Sequence, residues 1–144
     1  MNDKTKYALL ILLRWFLAVV FIYAALGKIA DPAAFAQQID HYRLLPWPAV
    51  AAAAVVLPWL ELLCGLLLIG GRWIQGASLW LMTLNGVFII AIASAMVRGL
   101  DIDCGCFSLQ GHASRVSLQR IVEDVLFLLI AALTFKQAHS ARTE

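Results

Sequence analysis

Two cysteines separated by one residue, Cys104 and Cys106, are the residues in this sequence best suited to chemistry. A disulfide between them would close a very small ring, and the geometric strain expected of such a ring makes the bond easier to reduce. Gly105 gives the intervening backbone the freedom to bring the two sulfurs together. The pair is therefore expected to exchange electrons or to bind a soft metal rather than to hold the fold together.

Three interpretations of the pair are compatible with the neighbouring residues. In thiol–disulfide exchange, both thiols take part directly. A metal site would add His112, with an aspartate in support, and its thiolates would favour Cu(I) or Zn²⁺. In the third interpretation the cysteines only shape the loop. Asp101 and Asp103 precede the pair and add negative charge, which disfavours a thiolate.

The composition indicates a membrane protein. Of the 144 residues, 62% are hydrophobic and 14% are charged, whereas soluble domains are roughly 45–50% apolar and about 25% charged. The length fits one compact domain, residues 1–144, but water cannot cover so much apolar surface, so a lipid bilayer must. The net charge of +2 is too small to indicate nucleic-acid binding. Three cysteines allow at most one internal disulfide.

Four apolar stretches have the length of membrane-spanning helices, which is about 20 residues. They cover residues 7–29, 49–69, 74–97 and 116–135. Lipid offers no hydrogen-bond partner to the backbone, so these stretches must be helical. The predicted fold is an all-α integral membrane four-helix bundle. Asp31-Pro32 breaks the first helix, and residues 32–42 are expected to form a short helix at the membrane interface.

Four spans place both termini and the turn at residues 70–73 on one side of the membrane. The loops at residues 31–48 and 98–115 then lie on the other side. The distribution of Lys and Arg slightly favours cytoplasmic termini. We therefore expect a multi-pass protein of the bacterial inner membrane, with the Cys-Gly-Cys loop in the periplasm or outside the cell, where disulfides persist.

Glu61 lies in the middle of the second span, where a carboxylate costs about 2.5–3.5 kcal/mol. It should therefore face a partner or a cavity. Arg14 is the expected partner, because the two residues lie at similar distances from the terminal-side ends of their spans. Such an ion pair would either fix helix packing or serve function, and the sequence leaves both open.

Other polar residues lie within the predicted spans. Lys28, Glu123 and Asp124 are expected to cluster in the outer half of the bundle, with Lys28 extending outward. Asn85 is expected to form hydrogen bonds between helices. Cys64 follows Glu61 by one turn and is expected to be a small buried apolar side chain.

Several sequence segments resemble one family. The first span carries Arg14 and ends in Ala-Ala-Leu-Gly-Lys at residues 24–28. The second span contains Glu-Leu-Leu-Cys-Gly-Leu-Leu-Leu-Ile-Gly at residues 61–70. Residues 103–107 read Asp-Cys-Gly-Cys-Phe, followed by Ser108 where the family motif often has glycine. In these features the chain resembles the DoxX-type four-helix membrane proteins, and in particular their methylamine-utilisation MauE branch.

This resemblance implies electron transfer or disulfide handling during maturation of a periplasmic methylamine dehydrogenase, with a thioredoxin-like protein or a client dithiol as partner. Cys104 and Cys106 take the place of the redox pair, and Arg14, Lys28 and Glu61 the places of the intramembrane polar positions. In the relay that we expect from these residues, electrons would pass onward to a quinone held among the helices, and the sequence itself shows no acceptor. The alternatives are a metal carrier or permease that uses the Cys-Gly-Cys loop, and a non-catalytic scaffold for a maturation partner.

Overall fold

Five α-helices form the regular structure of the described part of the chain. The computed structural model describes residues 3–98 and 116–143, with side chains for residues 7–98 and 120–139. In chain order the helices are α1 (Asp3–Ala30), α2 (Pro32–His41), α3 (Trp47–Gly70), α4 (Ile74–Val97) and α5 (Val116–Thr143). Over these residues the all-α prediction is confirmed.

Three of these helices are long and apolar enough to cross a bilayer. They are the Tyr7–Ala30 part of α1, the whole of α3 and the whole of α4, each 24 residues long. At 1.5 Å per residue such a helix extends about 36 Å, which exceeds the roughly 30 Å of hydrocarbon in a bilayer. Large apolar side chains on their outer faces, such as Val19, Trp59 and Ile90, are more than half exposed. Lipid must cover these faces.

The helix α5 contains the predicted fourth span but is more polar. Arg120, Glu123 and Asp124 lie in its first half, and α5 is not among the helices that meet the apolarity needed for a span in the described residues. It packs along α4 and also contacts α1. The structure thus places α5 in the bundle, and its crossing of the membrane stays a prediction.

The break between α1 and α2 has a local cause. Asp31 caps α2, because its Oδ1 accepts a hydrogen bond from the backbone N–H of Ala34 at 3.0 Å, and Pro32 occupies the first helical turn. The buried face of α2, formed by Phe35 and Ala36, packs against Val50 and Ala54 of α3. The helix predicted for residues 32–42 is therefore present, and it covers the first half of α3.

The turn between α3 and α4 is set by glycine. Gly71 has a φ of 67°, a left-handed conformation that glycine adopts without steric cost, and it ends α3. The backbone N–H of Arg72 then donates to the carbonyl of Leu67 at 3.2 Å. The chain reverses here, so α3 and α4 form the predicted antiparallel hairpin.

The bundle core lies near the α3–α4 turn, where α1, α3, α4 and α5 meet. Its fully buried side chains include Leu17, Leu68 and Leu81, and Cys64 packs among them as expected. The hydroxyls of Ser78 in α4 and Thr134 in α5 form a buried hydrogen bond of 3.1 Å. This bond joins the two helices near the bundle core.

The helices α1 and α3 approach each other closely at Gly65. A Cβ added there would lie 2.6 Å from Cγ1 of Ile22 and 3.2 Å from the carbonyl oxygen of Ala18. Small residues allow such approaches between membrane helices. Gly65 therefore fixes the register of α1 against α3, and this register decides which polar residues meet.

Replacing Gly65 with alanine should overpack this interface. We expect Gly65→Ala to lower the free energy of unfolding by about 1–3 kcal/mol, as overpacked cores do, in detergent micelles titrated with sodium dodecyl sulfate. Gly86→Ala in α4 is the matched control, because among the described residues no atom other than those of its chain neighbours and its own local helix backbone lies within 4 Å of an added Cβ. Equal stability of the two variants would contradict the close approach.

Candidate functional site

The most buried charged pair in the described residues joins α1 to α3. The Nζ of Lys28 lies 2.8 Å from both carboxylate oxygens of Glu61, and the two side chains are 12% and 2% exposed. The register explains the pairing. Gly65 lies against Ala18 and Ile22, so Glu61, one turn earlier in the antiparallel α3, lies beside the part of α1 that leads to Lys28.

The prediction that Arg14 pairs with Glu61 is wrong. The guanidinium of Arg14 lies instead near Gly71, at the end of α3, about 15 Å along the helix axis from Glu61 at 1.5 Å per residue. The prediction assumed that the two spans begin and end at the same depth, whereas α1 extends from Arg14 back to Asp3, beyond the end of α3. Among the described residues, the Nε of Arg14 is buried without a hydrogen-bond partner.

The Lys28–Glu61 pair forms part of the wall of a cavity of about 80 Å³, which we call the Lys28 cavity. Its polar lining also includes Asn85 of α4 and Arg120 and Asp124 of α5. Lys28 therefore does share a site with Asp124, as predicted, but its side chain turns inward to Glu61 rather than outward. Glu123 lies 3.4 Å from Arg120 and does not line the cavity.

Asn85 lines this cavity and carries a hydrogen-bond donor that is unmet among the described residues. The side chain is 3% exposed, and its Nδ2 has no hydrogen-bond partner within the described part of the chain. The predicted interhelical hydrogen bond from this nitrogen is therefore not formed there. Buried polar groups are rarely left unsatisfied, and each such group calls for an explanation.

Aromatic rings form much of the remaining wall. Phe21, Phe35, Phe88 and Phe127 line the cavity from α1, α2, α4 and α5. The Nζ of Lys28 lies 4.9 Å from the ring centroid of Phe35 and 5.3 Å from that of Phe88, which are distances typical of cation–π interactions. The ammonium group is thus held by a carboxylate and two rings.

Sequence reasoning missed these rings and Arg120 as parts of one site. Phenylalanine is common throughout the apolar helices, so its position in the sequence gave no signal. Arg120 was conspicuous in the sequence as a charge within a predicted span, but the sequence did not indicate which residues it would contact. Trp15, Trp59 and Trp80 are 51%, 58% and 42% exposed, and none of them lines the Lys28 cavity.

The end of α4 is tied to the end of α2 close to this cavity. Arg98 donates from Nη2 to the carbonyl oxygen of Tyr42 at 2.6 Å and from Nε to that of Ser94 at 3.2 Å. Tyr42 also lines the cavity, as does Ile92 of α4. The chain therefore leaves α4 beside the cavity and re-enters the described structure at Val116, one turn before Arg120.

The predicted redox loop lies outside the described residues. This applies to Cys104 and Cys106, to the supporting residues Asp101, Asp103 and Gly105, and to His112 of the alternative metal site. Cys64 does lie within the described part, where it is a free and buried thiol.

The comparison with protein families gives one match over most of the chain. Residues 6–137 match the family described as methylamine utilisation protein MauE. The chain belongs to the MauE family. The matched range includes Lys28, Glu61 and both cysteines of the Cys-Gly-Cys pair.

Individual MauE proteins confirm this relationship. The chain is 38% identical over 120 residues to methylamine utilization protein MauE of Paracoccus versutus, covering 83% of this chain and 64% of that protein. It is 36% identical over 120 residues to the MauE protein of Paracoccus denitrificans, with the same coverage. It is 34% identical over 108 residues to that of Methylophilus methylotrophus, covering 74% and 57%. The chain thus spans less than two thirds of the length of these MauE proteins, and no solved structure matches it.

Proposed function

We propose that this chain is a membrane-embedded thiol–disulfide exchange protein that serves methylamine utilisation by assisting the maturation of periplasmic proteins. Membership of the MauE family is the observation that carries the proposal, because the matched residues 6–137 include Cys104 and Cys106. The apolar helices supply the membrane setting. The Cys-Gly-Cys pair supplies a group able to accept and release electrons.

The proposed reaction is a dithiol–disulfide exchange. A thiolate of the partner attacks one sulfur of the Cys104–Cys106 disulfide and forms a mixed disulfide, while the other cysteine leaves as a thiolate. The second partner thiol then displaces the remaining cysteine. In sum, two electrons and two protons pass from the partner to the pair, the partner disulfide forms and the Cys104–Cys106 bond breaks. The same steps in reverse would deliver reducing equivalents.

The proposed partner is a thioredoxin-like protein or a client dithiol in the periplasm. The distribution of Lys and Arg supports an inner-membrane protein with cytoplasmic termini and an outward-facing Cys-Gly-Cys loop. The two described helices that border the Cys-Gly-Cys segment in the sequence, α4 and α5, both contribute residues to the Lys28 cavity. Arg98 fixes the last turn of α4 to the end of α2, and α5 begins just before the cavity residue Arg120.

Trapping of the mixed disulfide tests the proposal. In whole cells, Cys104→Ser or Cys106→Ser should leave one thiol unable to resolve the intermediate, so one of the two variants should accumulate a disulfide-linked adduct. Non-reducing gels followed by mass spectrometry would identify the partner, and the adduct should disappear on reduction. Cys64→Ser is the matched control, since Cys64 is buried in the bundle core and 5% exposed.

The alternative functions give different results in the same cells. A metal carrier would lose Cu(I) or Zn²⁺ uptake in both serine variants without forming an adduct. A scaffold would keep its function after loss of both thiols. Either outcome would contradict thiol exchange, as would a Cys104–Cys106 pair that stays fully reduced in membranes when probed by alkylation.

A further inference from the structure

The Lys28 cavity has the features of a binding site and contains a donor that the described protein leaves unused. Asn85 is 3% exposed, its Nδ2 lacks a partner among the described residues, and it lines a cavity of about 80 Å³. A single water needs roughly 10–15 Å³, so there is room for a small ring. A buried amide N–H on a residue that lines such a space calls for an acceptor oxygen within its reach, and the content of the cavity can supply one.

The charges around the cavity favour a neutral ligand. Lys28 and Arg120 are cationic, and Glu61 and Asp124 are anionic, so the formal charges of these four lining residues cancel. The ammonium of Lys28 is already held by both oxygens of Glu61 at 2.8 Å. A charged ligand would have to displace part of this pairing, and a neutral ligand would not.

The shape and setting favour a flat apolar ligand that dissolves in lipid. Four phenylalanine rings line the cavity, and aromatic walls favour planar rings through stacked or edge-to-face contacts. The surrounding helices α1, α3 and α4 are apolar enough to lie in a bilayer. The required ligand is therefore neutral, planar and lipid-soluble, and it carries a carbonyl oxygen.

We propose that the Lys28 cavity binds the head group of a lipid-soluble quinone, with one quinone carbonyl accepting a hydrogen bond from Nδ2 of Asn85. Binding itself does not depend on the cysteines. The consequence for electron transfer does rest on the proposed function: a reduced Cys104–Cys106 pair would give two electrons and two protons to the quinone. Two S–H bonds would be lost, one S–S bond would form, and the quinone would become a quinol.

Binding of ubiquinone-1 to the full chain in phosphatidylcholine nanodiscs tests this proposal. Isothermal titration calorimetry, with empty nanodiscs as reference, should show saturable binding to one site. Loss of the donor in Asn85→Leu should weaken binding about three- to tenfold, the effect of one hydrogen bond. Ala24→Leu, which adds bulk to another cavity-lining position, should weaken it by at least as much. Ser78→Ala is the control outside the cavity and should bind like the unaltered chain.

Two further comparisons define the ligand and separate the two proposals. The dimethyl ether of the corresponding hydroquinone keeps the ring and tail but has no carbonyl, so it should bind more weakly than ubiquinone-1. The double variant Cys104→Ser, Cys106→Ser should bind ubiquinone-1 normally, even if no mixed disulfide is ever trapped. The proposal is overturned if binding does not exceed that of empty nanodiscs, if Asn85→Leu and Ala24→Leu both bind unchanged, or if the ether binds equally well.

Discussion

Replacing Lys28 with methionine should destabilise the protein by about 3–5 kcal/mol, the usual cost of removing one partner from a buried ion pair. Glu61 would then retain a carboxylate that is 2% exposed, without the ammonium that now contacts both of its oxygens at 2.8 Å. The measurement is the free energy of unfolding in detergent micelles titrated with sodium dodecyl sulfate. The large effect is expected because Lys28 makes both hydrogen bonds to the buried Glu61 carboxylate, and its removal would leave that carboxylate without its direct partner.

The double variant Lys28→Met, Glu61→Leu supplies the decisive comparison. Replacing both charges with apolar groups of similar size is often neutral or stabilising, so most of the loss should be recovered. Glu123→Gln is the control, because Glu123 belongs to an ion pair with Arg120 but its side chain is 39% exposed. This substitution should lower the free energy of unfolding by less than about 1 kcal/mol. Equal losses in the double variant and in Lys28→Met would contradict the direct pairing.

The second large effect concerns the two thiols. A native host whose copy carries Cys104→Ser and Cys106→Ser together should lose growth that depends on methylamine, because no sulfur would remain in the loop to form the mixed disulfide. Growth on another carbon and nitrogen source should be normal. The amount of protein in the membrane should also be unchanged, because the expected growth defect comes from lost thiol chemistry and not from lost folding.

Cys64→Ser again serves as the control for the growth test. Its side chain packs in the core with Leu68 and Leu81, so the substitution should affect stability more than growth. Normal methylamine-dependent growth of the double serine variant would contradict the proposed function. It would leave the proposed quinone site untouched, because that site is defined by Asn85, Lys28 and their neighbours.

Much of the helical framework was predictable from local chemistry. The lengths of the apolar runs indicated the helices, since a bilayer leaves the backbone no other way to satisfy its hydrogen bonds. Asp31-Pro32 marked the boundary between α1 and α2 through a cap and a fixed φ. Gly70-Gly71 marked the reversal after α3, because a left-handed residue ends the helix there. These signals act within a few residues, so they can be recognised in the sequence without knowledge of the fold.

The pairing of charges depended instead on how the helices pack. The helices α3 and α4 are apolar on nearly every face, so no amphipathic stripe reveals which side chains turn inward. The contact of Gly65 with Ala18 and Ile22 sets the register, and this register brings Lys28 rather than Arg14 to Glu61. Counting residues along the two spans places Lys28 at a different membrane depth from Glu61. The offset between α1 and α3 nevertheless brings the two side chains together.

The Lys28 cavity shows the same difference between what the residue types indicate and what the helix packing determines. The sequence alone identified Lys28, Glu61, Asn85 and Asp124 as polar residues in apolar surroundings, because each is costly in lipid and therefore conspicuous. Only the packing of α1, α2, α3, α4 and α5 placed them around one space with four aromatic rings. The reason is physical: residue type sets the cost of burial, whereas the partner that offsets this cost is chosen by rotation and register of whole helices.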